Sequence, residues 1–220
     1  MPSLYVKGVY FINLDIRPDR LENMHKQLSS CKWDVTRVPA VRLEKEPAEI
    51  GYKLIPRLEG KKHVLSIWLS HRKALELALT NVQNEALILL EDDVKIDSTF
   101  WKDKLELPEK LPENWEILFF SPRFRVNKNG PLKNQTGSKW LKAPFGKEPV
   151  LLNSVRSKYV CTGAHFVVFR NSSVIKKVIE KMDSMDEIYD VDLFYLGSFK
   201  TFGIDNPKIT TNSSLGSDHH

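Results

Sequence analysis

Three consecutive carboxylates, Glu91, Asp92 and Asp93, follow the uninterrupted apolar run Ala86-Leu87-Ile88-Leu89-Leu90. A short apolar run bounded by polar residues reads as a strand buried on both faces. Such a strand cannot keep three acids inside, so they fall where it leaves the sheet. In open α/β sheets ligands bind outside the carboxyl ends of the strands. Side chains alternate along an extended chain, which points Glu91 and Asp93 one way and Asp92 the other. Two convergent carboxylates are hard oxygen ligands, suited to Mg²⁺ or Mn²⁺ and, through the metal, to phosphate oxygens. A solvated acidic turn after a strand has the same local pattern.

The elements that must position these acids are legible on either side of them. Val6 to Asp15 opens as a strand rich in β-branched and aromatic residues and ends in the polar cluster Asn13, Asp15 and Arg17. Pro18 and Asp19 start a helix through about Ser30, with Leu21, Met24 and Leu28 on one face. Trp33 to Val41 is a second strand whose proline suits a sheet edge. Strand, helix and strand at this spacing form a βαβ unit with parallel pairing. Glu44 to Lys62 is a charged loop with one helical turn, and Val64 to Thr80 is the clearest helix. Beyond the acids, Asp97 to Thr99 is expected to cap a helix over Phe100 to Leu107. Trp115 to Ser121 is a buried strand, Tyr159 to Arg170 another, and Asn171 or Ser172 caps a helix to Met182. Phe202 to Ile209 forms one last short strand, and the tail from Ser213 is polar. Arg123 to Ser157 is basic and turn-rich, and its Trp140 and Phe145 suit stacking on sugar rings.

Composition narrows the class. The chain has 220 residues, 41% of them hydrophobic, which suits a sizeable α/β core. The net charge of +5 comes from 33 Lys and Arg against 28 Asp and Glu, spread along the chain. That mild excess favours anionic small ligands or membrane-surface acceptors, and no dense basic stripe or module speaks for nucleic acid. No apolar run reaches the length of a membrane span, and Met1 to Val9 does not read as a signal peptide, so a cytoplasmic protein is expected. Cys31 and Cys161 are too few for a disulfide framework and read as core residues.

Three ordered motifs carry a family resemblance. Val9-Tyr10-Phe11-Ile12-Asn13-Leu14-Asp15, with Arg17 and Asp19-Arg20, resembles the opening of glycosyltransferase family 25, the lipooligosaccharide and collagen galactosyltransferase group. Leu69-Ser70-His71-Arg72-Lys73-Ala74 resembles its helix motif, and Leu90-Glu91-Asp92-Asp93-Val94 its acidic motif. Weaker echoes lie in Thr162-Gly163-Ala164-His165, in Tyr189-Asp190-Val191-Asp192 and in Ser217-Asp218.

The resemblance implies a GT-A-like, Rossmann-like fold: a mostly parallel central sheet flanked by helices, with a small antiparallel or loop-rich acceptor-side region. It implies a nucleotide-sugar donor, usually a UDP-sugar, and often Mn²⁺ or Mg²⁺. Metal binding falls to Glu91 and Asp93, with Asp93 the first choice, and His219 completes the set if the terminal histidines are native rather than the remnant of a tag. Donor contacts fall to Asn13, Asp15, Arg17, Ser70, His71 and Asp92. Asp190 and Asp192, among apolar neighbours, are the alternatives for a base that deprotonates the acceptor hydroxyl in an inverting reaction.

The expected organisation is a single catalytic domain over 1–220. Residues 1–121 form the nucleotide-sugar half and 122–220 the acceptor-side half, and the modest length also suits one domain of a longer protein. The partners are a nucleotide sugar and a glycan acceptor, lipid- or protein-linked. Two other readings use the same acids. A nucleotidyltransferase would also place carboxylates at strand ends, but no Gly-rich phosphate loop is present. A nucleotide- or carbohydrate-binding module without turnover would not need three acids there.

Overall fold

A computed structural model describes residues 2–81, 84–126, 148–155 and 158–211. In chain order the elements are β1 (Ser3–Leu4), β2 (Val6–Asn13), α1 (Pro18–Leu28), β3 (Asp34–Pro39), α2 (Lys62–Leu79), β4 (Ala86–Glu91) and β5 (Val94–Ile96). They continue as β6 (Leu105–Glu106), β7 (Ile117–Phe120), β8 (Arg123–Val126), β9 (Val150–Leu151), β10 (Tyr159–Thr162) and β11 (Phe166–Phe169). The chain then forms α3 (Ser172–Asp183), α4 (Val191–Ser198), β12 (Thr201–Ile204) and β13 (Ile209–Thr211).

Seven strands make one sheet in the order β3-β2-β4-β11-β7-β12-β9. β2 pairs in parallel with both β3 and β4, and β7 with β12, while β11 and β9 run against their neighbours. Five of the seven strands therefore point the same way. The proline-bearing β3 lies at the edge, where a missing N–H costs no ladder bond. Three two-stranded antiparallel pairs, β1-β6, β8-β10 and β5-β13, surround this sheet.

Alternation along β4 divides the core. Leu87 and Leu89 join the layer that α2, α3 and α4 cover, and Ile88 and Leu90 the layer that holds Met24 and Leu28 of α1. All four are fully buried, as the uninterrupted apolar run requires. Helix α3 is capped by Asn171, whose Oδ1 accepts from Val174 N at 3.1 Å.

Four expectations change. The cap at Asp97 is real, since its Oδ1 accepts from Thr99 N at 2.8 Å, but it opens a single 3₁₀ turn, Ser98–Phe100, rather than a helix to Leu107. The next apolar residues are used one at a time: Trp101 is buried with its indole N–H on Gln27 O, and Leu105 joins β6 against β1. The expected strand from Tyr159 to Arg170 breaks at Gly163, whose φ of +111° takes the chain from β10 into β11. The last expected strand is two, with Pro207 between β12 and β13. The loop from Glu44 contains two 3₁₀ turns, Pro47–Ile50 and Pro56–Leu58. Trp140, Phe145 and His219 lie outside the described residues, as do most of the basic segment and the polar tail.

Candidate functional site

The parallel strands β2 and β4 end side by side, and the chain leaves β4 at Glu91 in a turn carrying Asp92 and Asp93. The acids split across the sheet, as alternation requires. Asp92 turns to the α1 side. Its Oδ1 accepts from Arg20 Nη1 at 2.7 Å and its Oδ2 from Asn13 Nδ2 at 2.8 Å. Asn13, 1% exposed, also donates to Arg17 O and accepts from Arg37 Nε at 3.0 Å, and Arg37 continues to Asp15 at 2.5 Å. Arg17 forks onto Asp19 at 2.9 and 2.8 Å. Both oxygens of Asp92 and both polar groups of Asn13 are thus engaged inside the protein.

Glu91 turns to the α2 side. Its Oε1 meets His71 Nε2 at 3.2 Å, and His71 Nδ1 meets the Tyr195 hydroxyl at 3.1 Å. Burial acts to raise the Glu91 carboxyl, but the hydrogen bond and charge of His71, with His165 and Arg123 behind them, hold it below the usual carboxylate range. Asp93 is held less firmly: the charges of Arg123 and Arg20 act to lower its carboxyl but do not prevail. Burial first, and the neighbouring Glu91 second, push its carboxyl up to about 6. Its Oδ1 is buried without a hydrogen-bond partner among the described residues.

The third acid on this side arrives from the far end of the chain. Asp192, in the first turn of α4, accepts from Gly163 N at 3.1 Å and Ala164 N at 2.9 Å. Burial and then Glu91 raise it to about 6, the two amides pulling the other way. Gly163 is required in this turn: besides its positive φ, a Cβ there would stand 2.8 Å from the His165 ring. His165 lies beside Glu91 across the β4-β11 pair, and Glu91 N donates to its carbonyl at 3.1 Å. Burial lowers the His165 ring to about 4, so it is neutral near pH 7, with Glu91 and the Ser121 carbonyl opposing that shift.

The other expected residues divide. Asp190 is the residue before α4 and faces outward to Arg57 at 3.3 Å, apart from the two amides that hold Asp192. Ser70 is buried in α2, accepting from Val41 N at 2.8 Å and donating to Ser66 O at 2.6 Å, so it ties the loop after β3 to the helix. Arg20, Tyr195 and His165 join the site without having been assigned a role from the sequence. The spacing of Asp192 and Tyr195, three apart on one helix face, was the available signal for Tyr195.

Among the described residues no group of three or more His, Cys, Asp and Glu side chains comes together at metal-ligating spacing. Glu91 and Asp93 provide two hard carboxylates. A Mg²⁺-type ion at a phosphate site takes one or two, with substrate phosphates and water filling the rest of its shell. That is the donor set available here. A cleft of about 300 Å³ opens on the α1 face among Phe100, Leu107, Phe120, Ile204 and Pro207, and none of these acids lines it.

The family model described as "Glycosyltransferase family 25 (LPS biosynthesis protein)" matches residues 6–136, more than half of the chain, including both strand ends and the acid turn. The chain belongs to glycosyltransferase family 25. Glycosyl transfer is therefore its chemistry, and the acids at the ends of β2 and β4 lie inside the matched span. Two solved structures are similar at 12% identity. One is a glycosyltransferase involved in the glycosylation of the major capsid of PBCV-1, with a TM-score of 0.38 over 82% of this chain and 68% of that one. The other is the apo-form glycosyltransferase GlyE of Streptococcus pneumoniae TIGR4, with a TM-score of 0.40 over 90% of this chain and 45% of that one. The family 25 chain thus spans less than half the length of GlyE. No curated protein matches it.

Proposed function

We propose that this glycosyltransferase has a GT-A fold and moves a hexose from a UDP-sugar to a carbohydrate acceptor with inversion, assisted by Mn²⁺ or Mg²⁺. One observation carries the reading: Glu91, at the end of β4, lies within electrostatic reach of two further buried carboxyls, Asp93 and Asp192. Both of these are raised to about 6. Sites that must bind a cation and take a proton are where such groups are found.

Asp192 is the base. Two backbone amides orient its carboxylate, and a group titrating near 6 is ionised at pH 7 yet still basic enough to accept a proton. The acceptor hydroxyl oxygen attacks the anomeric carbon and its proton passes to Asp192. The bond from that carbon to the diphosphate oxygen breaks, and the diphosphate leaves with the electron pair. Glu91 and Asp93 would hold the metal, which neutralises the charge developing on the leaving diphosphate. Asn13, Asp15, Arg17 and Asp92 shape the donor side of the same strand ends, Asp92 and Asn13 as its internal brace. The acceptor is a glycan on a lipid or protein carrier. The family description as an LPS biosynthesis protein supports the lipid-linked case, with the enzyme working in the cytoplasm at a membrane surface. Among the described residues no helix is long and apolar enough to cross a membrane.

The test is a thermal-shift titration with UDP, GDP and CDP, each with and without Mn²⁺, on the native chain and on Asp93→Ala. A ligand at about 100 times its Kd stabilises by about 2.7 kcal/mol, worth several degrees at this chain length. The reading requires a shift with UDP that depends on Mn²⁺ and disappears in the variant. A folded protein that responds to no nucleotide would refute it.

A further inference from the structure

Helix α4 does two things at the acid turn. Its first turn presents Asp192 to the Gly163 and Ala164 amides, and one turn later, on the same face, it presents Tyr195. Tyr195 is fully buried, with the rings of Phe119, Phe169 and Phe194 around it at centroid distances of 6.2, 5.5 and 5.5 Å. A phenylalanine would fill that space and spare the desolvation of a hydroxyl. The hydroxyl meets His71 Nδ1 at 3.1 Å, and His71, 1% exposed, meets Glu91 Oε1 at 3.2 Å with its other nitrogen.

The chemistry of the pair Glu91 and His71 fixes the ring's proton. A carboxylate only accepts, so Nε2 carries hydrogen whether the ring is neutral or charged. The carboxylate opposes turning the ring over with a single hydrogen bond, since the flipped imidazole would show carbon to Glu91. The Tyr195 hydroxyl adds the second restraint by bonding Nδ1 from the other side. We infer that Tyr195 is a positioning residue: it pins His71, whose Nε2–H then holds one oxygen of Glu91 and leaves the other to the bound donor. A residue that orients a ligating carboxylate from behind in this way typically contributes about 10–100-fold to metal affinity or activity. The last clause of the inference rests on the proposed donor site; the pinning of His71 does not. It also gives α4 a joint role, setting the base directly and the donor-side acid through two side chains.

Tyr195→Phe separates positioning from packing. The expected outcome has three parts: a melting temperature within a few degrees of native, an Nε2 proton of His71 that exchanges with water faster in NMR spectra of the nucleotide-free protein, and an affinity for UDP with Mn²⁺ at least about tenfold weaker. An unchanged Nε2 proton in the folded variant would overturn the pinning, whatever the protein binds. An altered proton with unchanged affinity, in a protein that does bind UDP, would overturn the link to the donor. Should Tyr195→Phe fail to fold, His71→Gln and His71→Leu replace it, because the glutamine amide can still donate to Glu91. The glutamine variant must retain UDP affinity that the leucine variant loses, and equal behaviour would overturn the inference.

Discussion

The two sides of the acid turn solve opposite problems. On the α1 side, Asp92 is answered atom for atom: Arg20 takes one oxygen and Asn13 the other, at 2.7 and 2.8 Å. Around Glu91, by contrast, His71 and the charge of Arg123 answer one acid, two amides hold Asp192, and Asp93 keeps a buried oxygen with no hydrogen bond among the described residues. Three adjacent residues in sequence therefore include one acid that fastens β2, α1 and β4 together, one held by His71, and one raised by burial beside them. Acids in a completed network hold structure; acids left short are available for a ligand and a proton.

That contrast can be broken most forcefully at Asp192. Asp192→Asn should lower sugar transfer by about 10²–10⁴-fold, the usual contribution of a positioned base, with donor binding retained. Asp190→Asn should change transfer by less than about fivefold, since its partner is an exposed arginine. Comparable losses in a donor-to-acceptor assay would remove Asp192 from its role. On the other side, Asp92→Ala breaks the buried pair with Arg20 and should cost about 3–5 kcal/mol in denaturant unfolding. A loss below about 1 kcal/mol would mean that the brace is ornamental. Gly163→Ala should cost about 1–2 kcal/mol for the left-handed backbone and displace the His165 ring. It should also slow transfer, because the same turn supplies the amides for Asp192. The smallest effect is expected at Arg57→Ala, within about 1 kcal/mol by the same denaturation.

How far this contrast could be read from the sequence depends on the range of the signal. Alternation along β4 was enough to separate Asp92 from Glu91, because a strand's period is local and the run before it is too apolar to be anything else. The βαβ opening and the edge position of β3 were legible for the same reason. The cap at Asp97 was also legible as a cap, yet a cap does not set the length of the helix it opens; burial of Trp101 and pairing of Leu105 with Leu4 did. The break at Gly163 was hidden because only the long-range contact with α4 and the His165 ring make that turn. The partners themselves were beyond local pattern. Arg20 reaches Asp92 across 72 residues and Tyr195 reaches His71 across 124, and in sequence Tyr195 is one more aromatic in the run Leu193 to Leu196. Asp190 and Asp192 looked alike until the fold gave one of them two amides and the other the surface.

The central claim, that burial and the neighbouring Glu91 make the charged forms of Asp93 and Asp192 costly, has a direct test that needs no substrate. Stability is measured by denaturant unfolding from pH 4 to 8, in a chelator, for the native chain and Asp93→Asn. The Asp93 carboxyl titrates at about 6 in the folded protein against 3.8 in an open chain, so its contribution is fully present below 3.8 and is lost as the pH rises through 6. Asp192 acts in the same sense. Native stability contributed by this site should therefore fall between pH 4 and 7. Asp93→Asn should flatten part of that fall and be the more stable protein at pH 8, by up to about 3 kcal/mol. A variant less stable than native at pH 8, with the same pH dependence, would contradict the account.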